Sequence, residues 1–511
     1  MRPGTLVRLA LAGTRTDKVR VALTALSAAL ATLAGLAALT VLAIPTPLRT
    51  DDNPARWSLQ YANTLLREPG LRGGTTFALL LLAVPVLALA GQCARLGAPA
   101  RDRRLAALRL AGATPGQVTR LAVLETGVAS LFGTVTGLVA FLSARGLLDR
   151  PDAHGQLALP TDVLPSPVAL AAVVLGLPAV AAAGTALLLR RVATTPFGVV
   201  RRAGRDRAPR PWFALLILVG LAVFAAYHPV NSWYRHRDME PPLLLLPMLL
   251  VAGGIAATVG SVLASAWFSH TAGRLLHHLA RGPAALLAAR RLTADPWAGS
   301  RTFAALLAAV LLGGGAAGMR ANAQARYDIE RAEYRLIGDL HAPNPFYLQT
   351  ISLVDLAVAI AVTIAAGGLL VALVEGIVAR RRAYAALVAQ GVPRGVLGRS
   401  IAWQALTPAV PAVLLALTVG LLLGRRFAGP VRTGVVSGKV CEATAELCAD
   451  PATRERYLRT IAPPKRYFMP DVPLEHLALF GAGALAAVSL TVLVGLLFLR
   501  ASTRVEELRA T

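Results

Sequence analysis

The chain holds no Gly-x-x-x-x-Gly-Lys-Ser/Thr stretch in its 511 residues, and so no phosphate loop with which to bind ATP. It also lacks a nucleophile elbow, a catalytic-triad pattern and any His/Cys/Asp/Glu set at metal-ligand spacing; the pair His277-His278 stands alone. Neither catalysis nor a resident metal or cofactor is expected of it. Acidic residues are scarce, 27 against 52 basic ones, and none falls at the centre of a long apolar run. Proton-coupled carriers place carboxylates at mid-membrane depth, so a lone secondary transporter is disfavoured. Cysteine is down to three residues, enough for one bridge. Lysine is nearly missing: arginine supplies 49 of the 52 basic residues, which with the alanine load is the composition of a GC-rich genome.

What the chain has in abundance is apolar length. Apolar residues make up 55% of it and the mean hydropathy is +0.59. A membrane-crossing helix needs about 20 mostly apolar residues. Ten runs qualify, at roughly 21–44, 75–94, 121–144, 167–189, 212–227, 242–268, 302–319, 353–379, 400–423 and 476–499. The fifth is the weakest, with a charge-free core of about 16 residues bracketed by Trp212 and Tyr227. With the N-terminus inside, the inner segments carry 31 basic and 6 acidic residues, and the outer ones 21 and 18. The positive-inside rule then puts both termini in the cytoplasm. The first run is too long, and too far from the start, to be a cleaved signal peptide. The net charge of +25 is spread over short loops beside the spans, so anionic lipid headgroups explain it better than nucleic acid does. The expected fold is an all-α polytopic membrane protein with ten transmembrane helices, in the plasma membrane.

Within this string of spans one short element occurs twice. Arg103-Arg104-Leu105-Ala106-Ala107-Leu108-Arg109-Leu110-Ala111-Gly112 returns as Arg382-Ala383-Tyr384-Ala385-Ala386-Leu387-Val388-Ala389-Gln390-Gly391 at a fixed register of 279 residues. In the same register Gly116, Arg120 and Glu125 fall on Gly395, Arg399 and Gln404. Leu105 and Leu108 share one helix face, with Arg101, Arg104 and Arg109 as polar arms around it. Gly112 suits a left-handed helix end. Thr114, Pro115 and Gln117 then spell a capping box with proline at the first helical position. The second copy has Gly391 and Pro393 but no cap hydroxyl, so its bend should be held less rigidly.

Both halves open and close alike. Arg20 and Arg301 introduce the first and seventh spans, and short tails, Thr195 to Arg201 and Thr503 to Arg509, follow the fourth and tenth. The expected domains are a four-span unit at 1–202, a linking two-span segment at 203–281, and a second four-span unit at 282–511 with an outer loop at 424–475. In this 4+2+4 arrangement the two units are parallel repeats about an axis along the membrane normal.

The duplicated element resembles that of the FtsX-like permease family, the membrane subunits of ABC transporters of the MacB, LolC/LolE and BceB kind. The family's pattern is a basic stretch, Leu-x-x-Leu-(Arg)-x-x-Gly-Ala-(Ser/Thr), then an Arg and a Glu leading into the next span. It is matched by Arg104 through Thr114 with Arg120 and Glu125, and less fully by Ala385-Ala386-Leu387 and Gln390-Gly391-Val392. The resemblance implies a non-catalytic permease subunit with two FtsX-type four-helix repeats. ATP and magnesium would be bound by a separate ABC ATPase, in two copies per chain. It further implies that Arg104, Leu105, Leu108, Arg109, Gly112 and Thr114, with Leu387, Gln390, Gly391 and Pro393, couple to that ATPase. The implied cargo is amphipathic: a lipid, a peptide antibiotic or a hydrophobic drug. The alternative is a mechanical subunit controlling an envelope enzyme or an extracellular or sensor protein. The chain departs from its relatives outside the membrane. MacB- and LolC-like members carry a large domain after the first span, and BceB-like members one after the seventh. Here those loops have only about 28 and 33 residues, and the largest, about 52, follows the ninth span. A bacterial cell with a single membrane fits that layout.

The remaining candidates are individual residues. Cys441 and Cys448 lie in the largest outer loop, where a close pair reads as a disulfide; Cys93, near the inner end of the second span, should stay reduced. Glu125 sits about one turn inside the third span, within reach of Arg120 or Arg109 as a structural partner. Asp355 and Glu375 stand about 30 Å apart at opposite ends of the eighth span, as boundary anchors. Gly253-Gly254, Gly260, Gly313-Gly314-Gly315, Gly318 and Gly367-Gly368 point to close helix contact, or alternatively to a lateral gate.

Overall fold

About three quarters of the described chain is helical in the computed structural model. The described residues are 15–51, 53, 56–76, 78–80, 86, 110, 112–193, 209, 211–242, 245–337, 343, 346–444, 448–449 and 454–502. The principal helices are α1 (Arg15–Ala43), α2 (Pro115–Leu148), α3 (Pro167–Ala193), α4 (Phe213–Ala225), α5 (Tyr227–Arg235) and α6 (Leu245–Leu279). They continue as α7 (Pro283–Ala294), α8 (Pro296–Leu336), α9 (Phe346–Ala379), α10 (Arg381–Ala389), α11 (Arg394–Ala428) and α12 (Leu474–Ser502). Among the described residues nine stretches are long and apolar enough to cross a membrane, matching the first and the third to tenth expected spans. The second, 75–94, lies mostly outside the described residues. The weak fifth span gains its length from α5, which follows α4 after one residue and brings Phe213–Arg235 to 23 residues.

The seventh span differs from expectation. Its apolar run ends near residue 319, yet α8 continues to Leu336, 41 residues or about 61 Å in all. A hydrocarbon core is about 30 Å thick, so the second half of α8 stands outside it. Hydropathy ends at Arg320 but helix propensity does not: Ala, Arg and Glu dominate from there on, and no Pro or Gly interrupts them before Leu336. At the other end Asp295 caps the helix by accepting the Ala298 N–H at 3.1 Å, with Pro296 in the first turn.

Lipid offers helices no hydrophobic reason to associate, so small residues that let backbones touch must supply it. In the first unit Gly133 and Gly137 of α2 lie against the backbone of Ala25 and Ala29 in α1, with no room for a Cβ at either glycine. In the second, Gly420 and Gly424 of α11 lie in the same way against Leu311 and Gly315 of α8, and Gly314 of α8 against Leu417. The fifth and sixth spans repeat the device through Gly220 and Gly253. Gly367, expected at a close contact, has nothing near it.

The main buried core joins α4, α6, α8, α9, α11 and α12. The fifth and sixth spans thus pack on the second unit, while α1, α2 and α3 pack on one another. At the centre of the larger block, α8 and α11 are more than half buried along their apolar lengths, while α3 is almost wholly exposed.

Each unit has its own cap, at the end that the charge count of the loops puts outside. In the first, the buried Arg72 donates to the carbonyls of Leu66 (2.9 Å) and Ile44 (2.9 Å) and to Ser58 Oγ (2.6 Å). The fully buried Tyr61 donates its hydroxyl to Asp162 at 2.7 Å, joining the first and second outer loops. Burial, and then the Asp162 carboxylate, push the Tyr61 hydroxyl well above its usual range, while burial pulls Arg72 below its own. The cap of the second unit is the loop after α11. Two antiparallel ribbons form there: β1 (Val431–Arg432) with β4 (Tyr467–Phe468), and β2 (Gly438–Cys441) with β3 (Leu458–Ile461). A disulfide joins Cys441 to Cys448. The loop is tied to the extension of α8. The buried Glu333 accepts the N–H groups of Gly434, Val435 and Val436 at 2.6, 2.9 and 2.9 Å, and Asn322 donates to the Gly429 carbonyl at 2.8 Å.

Two outcomes follow from this packing. Gly420→Val must push α8 and α11 apart, and overpacking of this kind costs about 1–3 kcal/mol. Gly367→Val meets open space, so thermal unfolding in detergent should drop sharply for the first variant and not the second; equal midpoints would refute the contact. Thiol labelling without reductant should modify Cys93 at most, and ready labelling of Cys441 would rule out the bridge.

Candidate functional site

The two copies of the repeated element end in the same backbone geometry. Gly112 has φ +92° and Gly391 φ +88°, the left-handed region in which a side chain is strained. After Gly112, Thr114 takes extended angles and its Oγ accepts the Gln117 N–H at 3.4 Å, while Gln117 Oε1 accepts the Thr114 N–H at 3.1 Å. Pro115 occupies the first turn of α2. The expected capping box is therefore formed. Leu110 and Gly112 are exposed. Arg104, Leu105, Leu108 and Arg109 lie outside the described residues.

The second bend is held differently. Pro393 starts α11 with no side-chain cap, as its sequence implies. The end of α10 is closed instead by two backbone bonds: Gly391 N–H to the Val388 carbonyl and Val392 N–H to the Leu387 carbonyl, both at 3.0 Å. This is a Schellman closure. Beneath it Tyr384, Ile377, Leu397 and Ile401 are buried, and Leu387, Val388 and Val392 pack onto them. Tyr384 accepts a hydrogen bond from Arg291 of α7 at 2.6 Å, with that guanidinium 5.8 Å from its ring centre. Packing replaces the missing cap hydroxyl. Leu387 faces this cluster, while Gln390, Gly391 and Pro393 are exposed. Arg291 had no place among the expected coupling residues. Its only signal was its position beside Arg290 on an amphipathic segment ahead of the seventh span.

The intramembrane acids take ordinary partners. Asp355 pairs with Arg320 of α8 at 2.5 Å, close to Ser352, which the same guanidinium approaches at 3.3 Å. Glu125 is half-buried in α2 and Glu375 half-buried in α9, and both are engaged. Gln404, the counterpart of Glu125, donates to Ser400 of its own helix at 2.9 Å.

With this geometry in place, comparison with known families is decisive. The family described as FtsX-like permease C-terminal matches the chain twice, at residues 75–197 and 356–506. The two segments cover more than half of the chain, and each contains one of the positive-φ bends. The chain belongs to the FtsX-like permease family. No curated protein and no solved structure matches it. Family membership implies an ABC transporter permease subunit, of a kind that is generally non-catalytic and partners with an ABC ATPase. In this FtsX-like permease the matched segments hold α2, α3, most of α9, and α10, α11 and α12; α1 and α8, which α2 and α11 grip through their glycines, lie outside them.

The cap at Thr114 gives a local test. Thr114→Ala removes an acceptor worth about 1 kcal/mol, so amide exchange in the first turn of α2 should speed up about fivefold. Thr114→Ser should restore the native rate. An unchanged rate in the alanine variant would show that the cap does not hold this bend.

Proposed function

We propose that this FtsX-like permease is the membrane subunit of an ABC exporter or extraction machine that moves an amphipathic substrate: a lipid, a peptide antibiotic or a hydrophobic drug. One observation carries the reading. Two bends of matched backbone geometry, Gly112 and Gly391, stand where long membrane helices begin. By the charge count of the loops both lie on the cytoplasmic side. A duplicated inner contact suits a two-fold motor, one ATPase copy to each bend. Closure of that pair would turn both bends together and tilt α2 and α11, and with them the partners they hold through glycine contacts. A cargo dissolved in the bilayer is supported by the separate packing of α1–α3 and of the block from α4 to α12. A lateral gate between them would need no buried core to be broken.

A second reading, control of an envelope enzyme or sensor outside the cell, is favoured by a different feature. The outer half of α8 is bonded through Glu333 and Asn322 to the disulfide-closed loop, so movement of α8 reaches the outer surface. Mass spectrometry of what co-purifies would separate the two: lipid or peptide supports export, and an envelope protein supports control.

Purified alone, the chain should hydrolyse no ATP. With its ABC ATPase it should show a native mass of one permease to two ATPases, and a one-to-one complex would defeat the proposal. Gly112→Val places a β-branched residue where φ is positive, which such residues rarely adopt. It should leave membrane insertion intact while abolishing ATPase stimulation and transport, and Gly391→Val should do the same. Full transport in both variants would reduce the bends to ordinary loops.

A further inference from the structure

Helices α6 and α7 meet in a hairpin at the inner membrane face, and between them lies an open recess of about 330 Å³ lined by the exposed Arg274, His277, His278 and Arg290 and the half-buried Thr293. Read along the chain, His277-His278 was an isolated pair. In the fold it is joined by two arginines, one of them from the neighbouring helix. The macrodipole of α6 accounts for basic residues in its last turn, but not for Arg290, which projects from α7 into the same space. No acidic residue lines the cavity. Its walls offer two guanidiniums, a hydroxyl and two imidazoles, and an imidazole carries an N–H donor in either charge state. That set is suited to the oxygens of one phosphate group, with arginine able to bind two of them at once.

The depth of the cavity fits a membrane ligand. Trp267 ends the apolar part of α6, and Arg274 follows about 10 Å further along the axis, where the headgroup layer meets cytosol. The same hairpin exposes Leu275, Leu279, Leu286 and Leu287. A basic cavity beside exposed leucines matches a molecule with a phosphate at one end and acyl chains at the other.

We infer that the α6–α7 hairpin binds a phosphate-bearing anion at the inner membrane surface, the geometry being suited to the headgroup of an anionic phospholipid. The site is separate from both bends and does not depend on what the permease transports. It is tied to one of them through α7, whose Arg291 is the neighbour of Arg290 and holds Tyr384 beneath the Gly391 bend.

The test uses the full-length chain, delipidated in detergent and titrated in native mass spectrometry with dioleoyl phosphatidylglycerol, dioleoyl phosphatidylcholine or inorganic phosphate. The variants are Arg274→Gln with Arg290→Gln, each single change, and Arg281→Gln as a control matched in charge to the single changes, on the exposed turn outside the cavity. Losing charge-assisted hydrogen bonds should weaken binding of the preferred ligand about tenfold or more in the double variant and less than about twofold in the control. Phosphatidylglycerol bound in preference to phosphatidylcholine, and lost in the double variant, establishes the lipid source. Inorganic phosphate bound tightly and lost in the same variant establishes a soluble phosphate compound as the source. Binding equal in wild type, double variant and control overturns the site, provided circular dichroism shows the variants folded. Loss of ATPase association with lipid and phosphate binding unchanged also overturns it, because the cavity would then be part of the motor contact.

Discussion

Close contact between helix backbones is the constraint on which the rest of this molecule hangs. Inside a bilayer each helix satisfies its own hydrogen bonds, and apolar side chains gain nothing by leaving lipid for one another. What remains is dispersion between surfaces that fit, and it grows as the surfaces approach. The pairs α1–α2, α4–α6 and α8–α11 all solve the problem by removing side chains: a glycine on one helix receives a carbonyl or an alanine of its neighbour. Everything further out is positioned by these pairs. The bend at Gly391 feeds α11, the glycines of α11 fix α8, and α8 carries the outer loop.

Much of this was legible in the sequence, for local reasons. The bends could be read because glycine after a helix and Thr-Pro-x-Gln before one have short-range causes, and the left-handed angles and the capping box are both present. The disulfide could be read from two cysteines close together in an outer loop. The rest depended on distant partners. Hydropathy could not carry α8 past Arg320, since exposed helix is set by propensity and not by greasiness. Nor could it reveal that Glu333 would find three N–H groups a hundred residues away. Gly253, Gly260 and Gly314 were expected at close contacts and make them, whereas Gly133, Gly137, Gly420 and Gly424 did not stand out among 45 in the chain. Gly367 stood out as half of a pair and makes no contact. The assignment of the fifth and sixth spans to the second unit is likewise a fact of packing with no signature in one sequence.

The two halves share a plan but not a construction. The first bend is closed by a hydroxyl and an amide, the second by backbone bonds over a buried tyrosine. The first cap links one loop to another through Tyr61 and Arg72 and is held to α2 by Arg145; the second is held to α8 by a carboxylate, Glu333. Duplication set the topology, and each copy then found its own way to satisfy the same orphan groups.

The reach of α8 has a mechanical side. A rod of about 61 Å that swings by about 10° at its Pro296 end carries its far end sideways by about 10 Å. The disulfide-closed loop, clamped near that end by Glu333, would travel almost the whole distance, whereas the first cap is reached by a shorter arm, the 34 residues of α2, whose Arg145 holds the Val163 carbonyl at 2.7 Å. Equal swings of α2 and α8 would therefore reach the two caps through levers of unequal length.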